Sequence, residues 1–413
     1  MQGLIGIVTF LGFAWLISEN RSKLELKPVL SALALQIILA FFLMRFDLIR
    51  HGFGSLSNVV ETLKIATQEG TQFVFGYIGG GEIPFVMDPS SQKNTFIFAL
   101  QALPMIMVVS ALSMLLFYWR VMPIIVKGAS WFLQRTLNIG GALGVAAGAK
   151  VFLGNIDAPL LIRPYLKDFT RSEMFAMMTC GMATTSATVM ALYSFILKDT
   201  IDNPIAHILM CSIISIPAAL AVARLMVPQG SNQTDGHLVM PYRFTGWMDA
   251  VSKGTSDGLN IFLNVIAMLI VALALVYIAN TILGLLPSVG GNPLSLQRLF
   301  GYLFAPVTWL MGIPWHESAA AGALLGTKTV VNEVVAFSDL AALPKDTLSP
   351  RTSLIMTYAL CGFANFSALG IVIGGLGAMV PDRREMIVNL SLKSLISGTI
   401  ATCLSATLAG LLL

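Results

Sequence analysis

Charge is scarce in this sequence. Of its 413 residues only 11% are charged while 56% are hydrophobic, too little polar surface to cover a soluble globule and more apolar sequence than one core requires. The chain is therefore expected to live in lipid. No basic stripe exists either: the net charge of +4 is spread through the connections and the aromatics lie inside apolar runs, so nucleic-acid binding has no footprint. The cysteines, Cys180, Cys211, Cys361 and Cys403, fall in apolar segments without CxxC spacing, which argues against a zinc site or a disulfide framework. Gly79-Gly80-Gly81 is not followed by Lys-Ser/Thr, and Gly326-Thr327-Lys328-Thr329 lacks the order a phosphate loop needs, so no ATP motor is indicated. No cofactor is implied. The apolar stretch Gly3 to Ser18 has no positive region before it and no small-residue cleavage site after it, and reads as a retained helix rather than a signal peptide.

What is present is a series of long apolar runs. A bilayer core takes about 20 apolar residues as a helix, and runs of suitable length lie near residues 3–18, 29–47, 95–119, 173–197, 204–227, 257–286, 352–380 and 386–412. Pro28 can open the second without losing a hydrogen bond, and Pro217 falls inside the fifth, where a kink is expected. Basic residues cluster on alternate connections, at Arg21, Lys23 and Lys27, at Arg120, Lys127 and Arg135, at Lys167 and Arg171, at Arg224, Arg243 and Lys253, and at Arg383 and Arg384. Those connections are assigned to the cytoplasm and both termini to the outside. Ser55 to Thr71 reads as an amphipathic interfacial helix, and Val227 to Thr255 as an exposed cytoplasmic connection.

Residues 136–166 and 312–340 fit neither class, being apolar but interrupted by Gly, Pro and charge. Each reads as a re-entrant hairpin, and irregular backbone at membrane depth is tolerated only where protein or a water-filled cavity surrounds it. Thr179-Cys-Gly-Met-Ala-Thr184 follows the first hairpin and Leu360-Cys-Gly-Phe-Ala-Asn365 the second. The repeated order of hairpin then helix points to an inverted repeat with a site at the midplane. The expected fold is all-α and integral to the membrane, with eight transmembrane helices, one interfacial helix and two re-entrant hairpins. Its expected divisions are residues 1–94 (N-terminal scaffold), 95–135 (third scaffold helix), 136–227 (first repeat), 228–256 (cytoplasmic connection), 257–311 (sixth scaffold helix and linker) and 312–413 (second repeat).

Lys150, Asp157 and Glu333 lie near the hairpin middles. A charge at the bilayer centre costs roughly 2.5–3.5 kcal/mol on insertion scales, so each needs a role or a partner. Asp157 and Glu333 occupy matching places, and an inverted repeat brings both to one cavity, where carboxylate oxygens can accept from paired hydroxyls. Asn365, the repeat partner of Thr184, can add a donor and an acceptor, or serve as an amide joining two helices. Paired carboxylates also suggest glycosidase chemistry, but no soluble catalytic domain accompanies them, and an enzyme is not expected. His316 beside Glu317 reads as an interfacial hydrogen-bond donor rather than a proton relay.

Tyr358-Ala-Leu-Cys-Gly-Phe-Ala-Asn-Phe-Ser367, Ile373-Gly-Gly-Leu-Gly-Ala378 and Arg383-Arg384 resemble the seventh-helix signature of concentrative nucleoside transporters. Gly326-x-Lys328-x3-Asn332-Glu333-Val-Val-Ala336-Phe337 is similar to a second signature of that family. Phe152-Leu-Gly154, Ala158-Pro-Leu-Leu-Ile-Arg-Pro164 and Gln101-Ala-Leu-Pro104 extend the match from about residue 95 to the end. The resemblance implies a homotrimer of eight-span protomers in the bacterial inner membrane, each with an elevator-like transport domain moving against a scaffold and importing nucleosides by symport. It implies ribose contacts at Glu333 and Asn365 and a base contact at Val189.

Three departures from the family pattern concern that site. The first-hairpin tip, Gly-Gln-Thr-Glu in the family, reads Gly154-Asn155-Ile156-Asp157, which alters the base side. A family serine on the seventh helix is Ala368. An asparagine that ligates sodium in coupled members is Lys150, beside the remaining sodium positions at Leu153, Thr184 and Thr185. An ammonium cannot ligate sodium, and two unit charges about 4 Å apart repel by on the order of 4 kcal/mol at an effective dielectric of about 20. Lys150 is therefore expected to substitute for the ion, which leaves transport proton-coupled or uncoupled, with the proton favoured. Lys150, Asp157 and Glu333 are candidate proton carriers, since burial favours the neutral form of either type of side chain. The alternative function is carriage of a nucleobase, a modified nucleoside or another small polar solute.

Overall fold

The computed structural model describes residues 1–45, 47–85, 96–230, 233–240, 242–288, 293–344 and 346–413, and among them there is helix but no strand. The expected boundary between residues 94 and 95 lies outside the described residues. The helices are α1 (Gln2–Leu16), α2 (Leu26–Arg45), α3 (Asp47–Phe75), α4 (Phe98–Gln101), α5 (Met105–Tyr118), α6 (Val121–Leu137), α7 (Gly141–Ala149), α8 (Asp157–Leu160) and α9 (Arg171–Ala183). They continue with α10 (Ala187–Ile196), α11 (Pro204–Met226), α12 (Trp247–Leu283), α13 (Leu296–Leu310), α14 (Trp315–Val330), α15 (Glu333–Ala342), α16 (Pro350–Leu360), α17 (Phe366–Met379) and α18 (Arg384–Leu412).

Helices cover all eight expected apolar runs, and six segments among the described residues are long and apolar enough to cross a bilayer. α1 and α17 are shorter apolar helices. The fourth and seventh runs are each broken in two, at Thr184–Ser186 and at Cys361–Asn365. Two boundaries differ from expectation. The sixth run begins at Trp247 rather than residue 257, so part of the expected connection is helix, and α6 crosses the expected division at 135/136. The interfacial helix expected over Ser55 to Thr71 lies within the longer α3. α11 continues as one helix through Pro217.

Burial sorts the elements. In their most apolar stretches, α9–α10 is 89% buried and α11 83% buried, whereas α12 is 6% buried. α11 packs against α2, α9, α10 and α18; α18 also packs against α1, α9 and α16; α12 lies along α5. That last pairing is close because α12 carries small residues on the facing side: a Cβ added to Gly254 would stand 2.6 Å from the Ala111 Cα, and one on Gly258 2.7 Å from the Met107 Cα. Such small-residue spacing lets helix backbones approach where no hydrophobic effect drives association.

Local capping fixes where helices start. Thr170 and Glu173 form a capping box at α9, and Ser349 caps α16 ahead of Pro350. Glu173 also accepts from the Thr234 amide at 2.7 Å and its hydroxyl at 2.8 Å, which straps the connection after α11 across the base of the α7–α8 segment. Val239 donates to the Leu161 carbonyl at 2.9 Å further along the strap. At the α1–α2 turn, Glu19 accepts two bonds from Arg171, at 2.8 and 2.9 Å, and one from Lys393 at 2.5 Å, tying that turn to the start of α9 and to the third turn of α18.

Candidate functional site

Four interruptions in helix carry the polar groups: Lys150 to Ile156 between α7 and α8, Thr184 to Ser186 between α9 and α10, Val331 and Asn332 between α14 and α15, and Cys361 to Asn365 between α16 and α17. Each half of the chain thus runs two helices joined by an interruption, then a broken helix, then a long helix. The interruptions meet. Ala187 donates to the Phe152 carbonyl at 2.9 Å, joining the first hairpin to the α9–α10 break. A Cβ on Gly375 would lie 2.8 Å from Ile156 Cγ1, so that hairpin also touches α17. Gly362 lies against the end of α9, where its added Cβ would be 2.9 Å from the Met182 carbonyl oxygen. Asn332 and Asn365 cap α15 and α17, accepting from Val335 N at 3.0 Å and Ala368 N at 2.7 Å.

Glu333 stands at the centre of one polar cluster. It is buried, and Tyr193 donates to its Oε1 at 2.7 Å while Asn365 Nδ2 donates to its Oε2 at 2.6 Å. A carboxylate offers about four lone-pair directions, so the pair retains capacity for hydroxyl donors. Val189 lies one turn before Tyr193 on α10 and shares its face. The Tyr193 ring packs on Phe337 of α15 with centroids 4.8 Å apart. Ala368 supplies only its backbone amide, already taken by Asn365.

The first hairpin holds the second cluster. The Lys150 ammonium is buried and donates to the Gly154 carbonyl at 3.0 Å and to Asn155 Oδ1 at 2.8 Å. Gly181 of α9 sits against both, since a Cβ there would lie 2.5 Å from Asn155 Oδ1 and 3.1 Å from Lys150 Nζ. Asp157 folds back toward Gly154, whose added Cβ would be 2.9 Å from its Oδ2. The remaining members of the expected cation site bond elsewhere. Thr184 donates to the Cys180 carbonyl at 2.8 Å and Thr185 pairs with Ser212 at 3.2 Å, while Leu153 is buried. Asp157 and Glu333 thus have separate partners rather than forming one carboxylate pair.

Two polar side chains in these clusters have no role in the sequence reading. Tyr193 is one; a hydroxyl inside an apolar helix, which must find a partner when buried, was the available signal. Lys328 is the other. It is wholly buried and donates to the Ala359 carbonyl at 2.8 Å, at the negative end of α16, and to Thr402 Oγ1 at 3.3 Å. His316, exposed beside Glu317 at 3.5 Å, lies at the start of α14.

The profile of the Na+ dependent nucleoside transporter C-terminus matches residues 207–410, that of its N-terminus residues 5–78, and a nucleoside recognition (Gate) profile residues 99–200. A Helicobacter pylori nucleoside permease, NupC, is 31% identical over 99% of this chain and 96% of its own. The chain belongs to the concentrative nucleoside transporter family. An uncharacterized transporter of Haemophilus influenzae is 36% identical over 100% of this chain and 97% of its own. The solved structure of CNTnw in an inward-facing substrate-bound state is 32% identical, with a TM-score of 0.90 over 100% of this chain and 98% of that one. The family resemblance read from the sequence holds, and with it the assignment of a membrane transporter rather than an enzyme.

Proposed function

We propose that the protein imports nucleosides across the bacterial inner membrane, driven by protons rather than sodium. The observation that carries the substrate reading is the buried Glu333–Asn365 pair, bonded at 2.6 Å where hairpin and broken helix meet. The sugar hydroxyls donate to Glu333 and bond Asn365, Val189 lies along the base, and Asn155, Ile156 and Asp157 flank the base from the first hairpin. Ala368 removes one hydroxyl partner. For coupling, the supporting observation is the Lys150 ammonium, which already occupies the oxygens of Gly154 and Asn155. Thr184, Thr185 and Leu153 line the same region, and a proton on Lys150, Asp157 or Glu333 is the coupling species.

Alternating access is by an elevator in which the two hairpins, two broken helices, α11 and α18 move against α5 and α12. The packing of α1 on α18 and of α2 on α11 favours carrying those helices with the moving body, although residues 1–94 read as scaffold in the sequence. The two repeats are related by inversion, both termini face the periplasm, and three protomers associate. A second reading, carriage of a nucleobase, modified nucleoside or other small polar solute, is favoured by Ile156, whose side chain packs on Gly375 and offers no hydrogen bond to an ordinary base.

The test is uptake of uridine and adenosine into proteoliposomes under an imposed proton gradient, a sodium gradient or neither. Accumulation with protons alone, and a changed ion dependence in Lys150→Asn, are expected. Sodium-driven uptake at fixed pH and potential would remove the proton reading; movement of neither nucleoside would favour the second solute class.

A further inference from the structure

A cavity of about 400 Å³ lies between the end of α5, the start of α6 and the strap after α11. Phe117, Tyr118, Tyr242 and Phe244 supply aromatic wall, and Arg120 and Lys127 supply charge. No carboxylate lines it, and neither cation has a hydrogen bond or ion pair among the described residues. Lys253 adds a third positive group 5.4 Å from the Tyr242 ring centroid, while Asp249 is turned to the Thr245 amide at 3.0 Å; Asp157 and Asp257 lie close enough to Tyr242 to act on it electrostatically. Arg120 also holds a left-handed backbone, φ 62°, which a side chain other than glycine adopts at a cost.

The residues that neighbour Arg120 and Lys127 along the chain and on α6 are apolar and exposed: Trp119 is 59% accessible, Ile124 68% and Trp131 68%. Unpaired cations with exposed tryptophan and aliphatic neighbours on a membrane protein match the headgroup level of a bilayer, where basic pockets take anionic lipid headgroups. We infer that this cavity binds the phosphate headgroup of an anionic phospholipid, with Arg120 and Lys127 on the phosphate and the acyl chains along Ile124 and Trp131.

The placement gives the lipid leverage. Two covalent links between the α5–α12 pair and the α7–α11 body border the cavity, the joint at Arg120 and the strap at Leu238, Met240, Tyr242 and Phe244. The strap is bonded to the first hairpin through Val239 and Leu161, and further along it packs Tyr242 on Phe117 and Phe244 on Tyr118 of α5. Displacement of one body past the other reshapes the cavity, so a bound headgroup favours one arrangement. This last step rests on the elevator reading; the binding itself does not.

The experiment adds phosphatidylglycerol, phosphatidylcholine or inorganic phosphate to the purified full chain in neutral detergent and follows thermal unfolding. Phosphatidylglycerol alone should stabilise, with its apparent affinity about tenfold weaker in Arg120→Gln/Lys127→Gln and restored in the charge-keeping Arg120→Lys/Lys127→Arg. Lys127→Gln alone, at an exposed position, gives a weaker version of the same loss if the double variant fails to fold. Equal protection by phosphatidylcholine or by free phosphate, or undiminished protection of the glutamine variants, overturns the proposal. In vesicles, faster flux with phosphatidylglycerol that the glutamine variants lose supports the leverage step. Flux failing for every lipid counts against the transport reading and leaves the unfolding result to decide the site.

Discussion

Glu333 has both carboxylate oxygens engaged, and the outcome of substitution depends on which partner is removed. Tyr193→Phe leaves Oε1 buried without its donor, a deficit of about 1–3 kcal/mol, and should lower the unfolding temperature of the substrate-free protein. An unchanged temperature would show that water or another donor takes the place of the hydroxyl. Glu333→Gln keeps the shape but loses charge-assisted bonds; nucleoside affinity measured by calorimetry should fall about ten- to a hundredfold. Gly181→Ala sets a methyl 2.5 Å from Asn155 Oδ1 and should cost about 1–3 kcal/mol by overpacking. If that variant melts with the parent, the hairpin tip does not lie against α9 as described. The carboxylates and Lys150 were legible in the sequence because ionic groups are conspicuous in apolar runs. Tyr193 left only the trace of a hydroxyl in an apolar helix, its partner lying 140 residues away, and the close approach of Asn155 to Gly181 left none.

At the scale of elements, Glu19 joins the α1–α2 turn to α9 and α18. Hydrogen bonds from Arg171, reinforced by Lys393, outweigh partial burial and hold its carboxyl at about 2, below the ordinary 4.5. A depressed value means that its contribution is complete above pH about 4.5 and drains away as pH falls toward 2. The unfolding-temperature difference between the parent and Glu19→Gln should therefore be constant from pH 5 to 8 and shrink in acid; a difference that grows in acid would refute the ion cluster. The eight apolar runs were legible because about 20 apolar residues in a row have few other uses. The early start of α12 was hidden by its Ser, Gly and Asp content, which reads as loop. Gly254 there, with Gly258 one turn further on, instead seats it on α5, and Gly258→Leu should separate the pair, seen as loss of an engineered disulfide between the two helices.

For the whole molecule, α12 is the outlier: 37 residues, longer than a bilayer crossing at about 1.5 Å per residue, and apolar yet almost unburied. An exposed helix of that kind faces lipid or other copies of the chain, and the proposed trimer predicts a detergent-corrected mass three times 44.3 kDa by light scattering. A monomer mass would assign the face to lipid. Oligomeric state was not legible in the residues themselves, because lipid and a neighbouring subunit ask for the same apolar surface.

Lys150 has a consequence for the energetics of a full cycle. A sodium ion crosses the membrane field with the substrate and is then released, so each turnover moves net charge. In the proposed elevator, with Asp157 or Glu333 carrying the coupling proton, an ammonium held by Gly154 and Asn155 of its own hairpin keeps its charge and travels inward and back again with the protein. Whatever work the membrane voltage does on that charge in one half of the cycle is returned in the other, so voltage redistributes the dwell times of the two states without contributing, through this site, to accumulation.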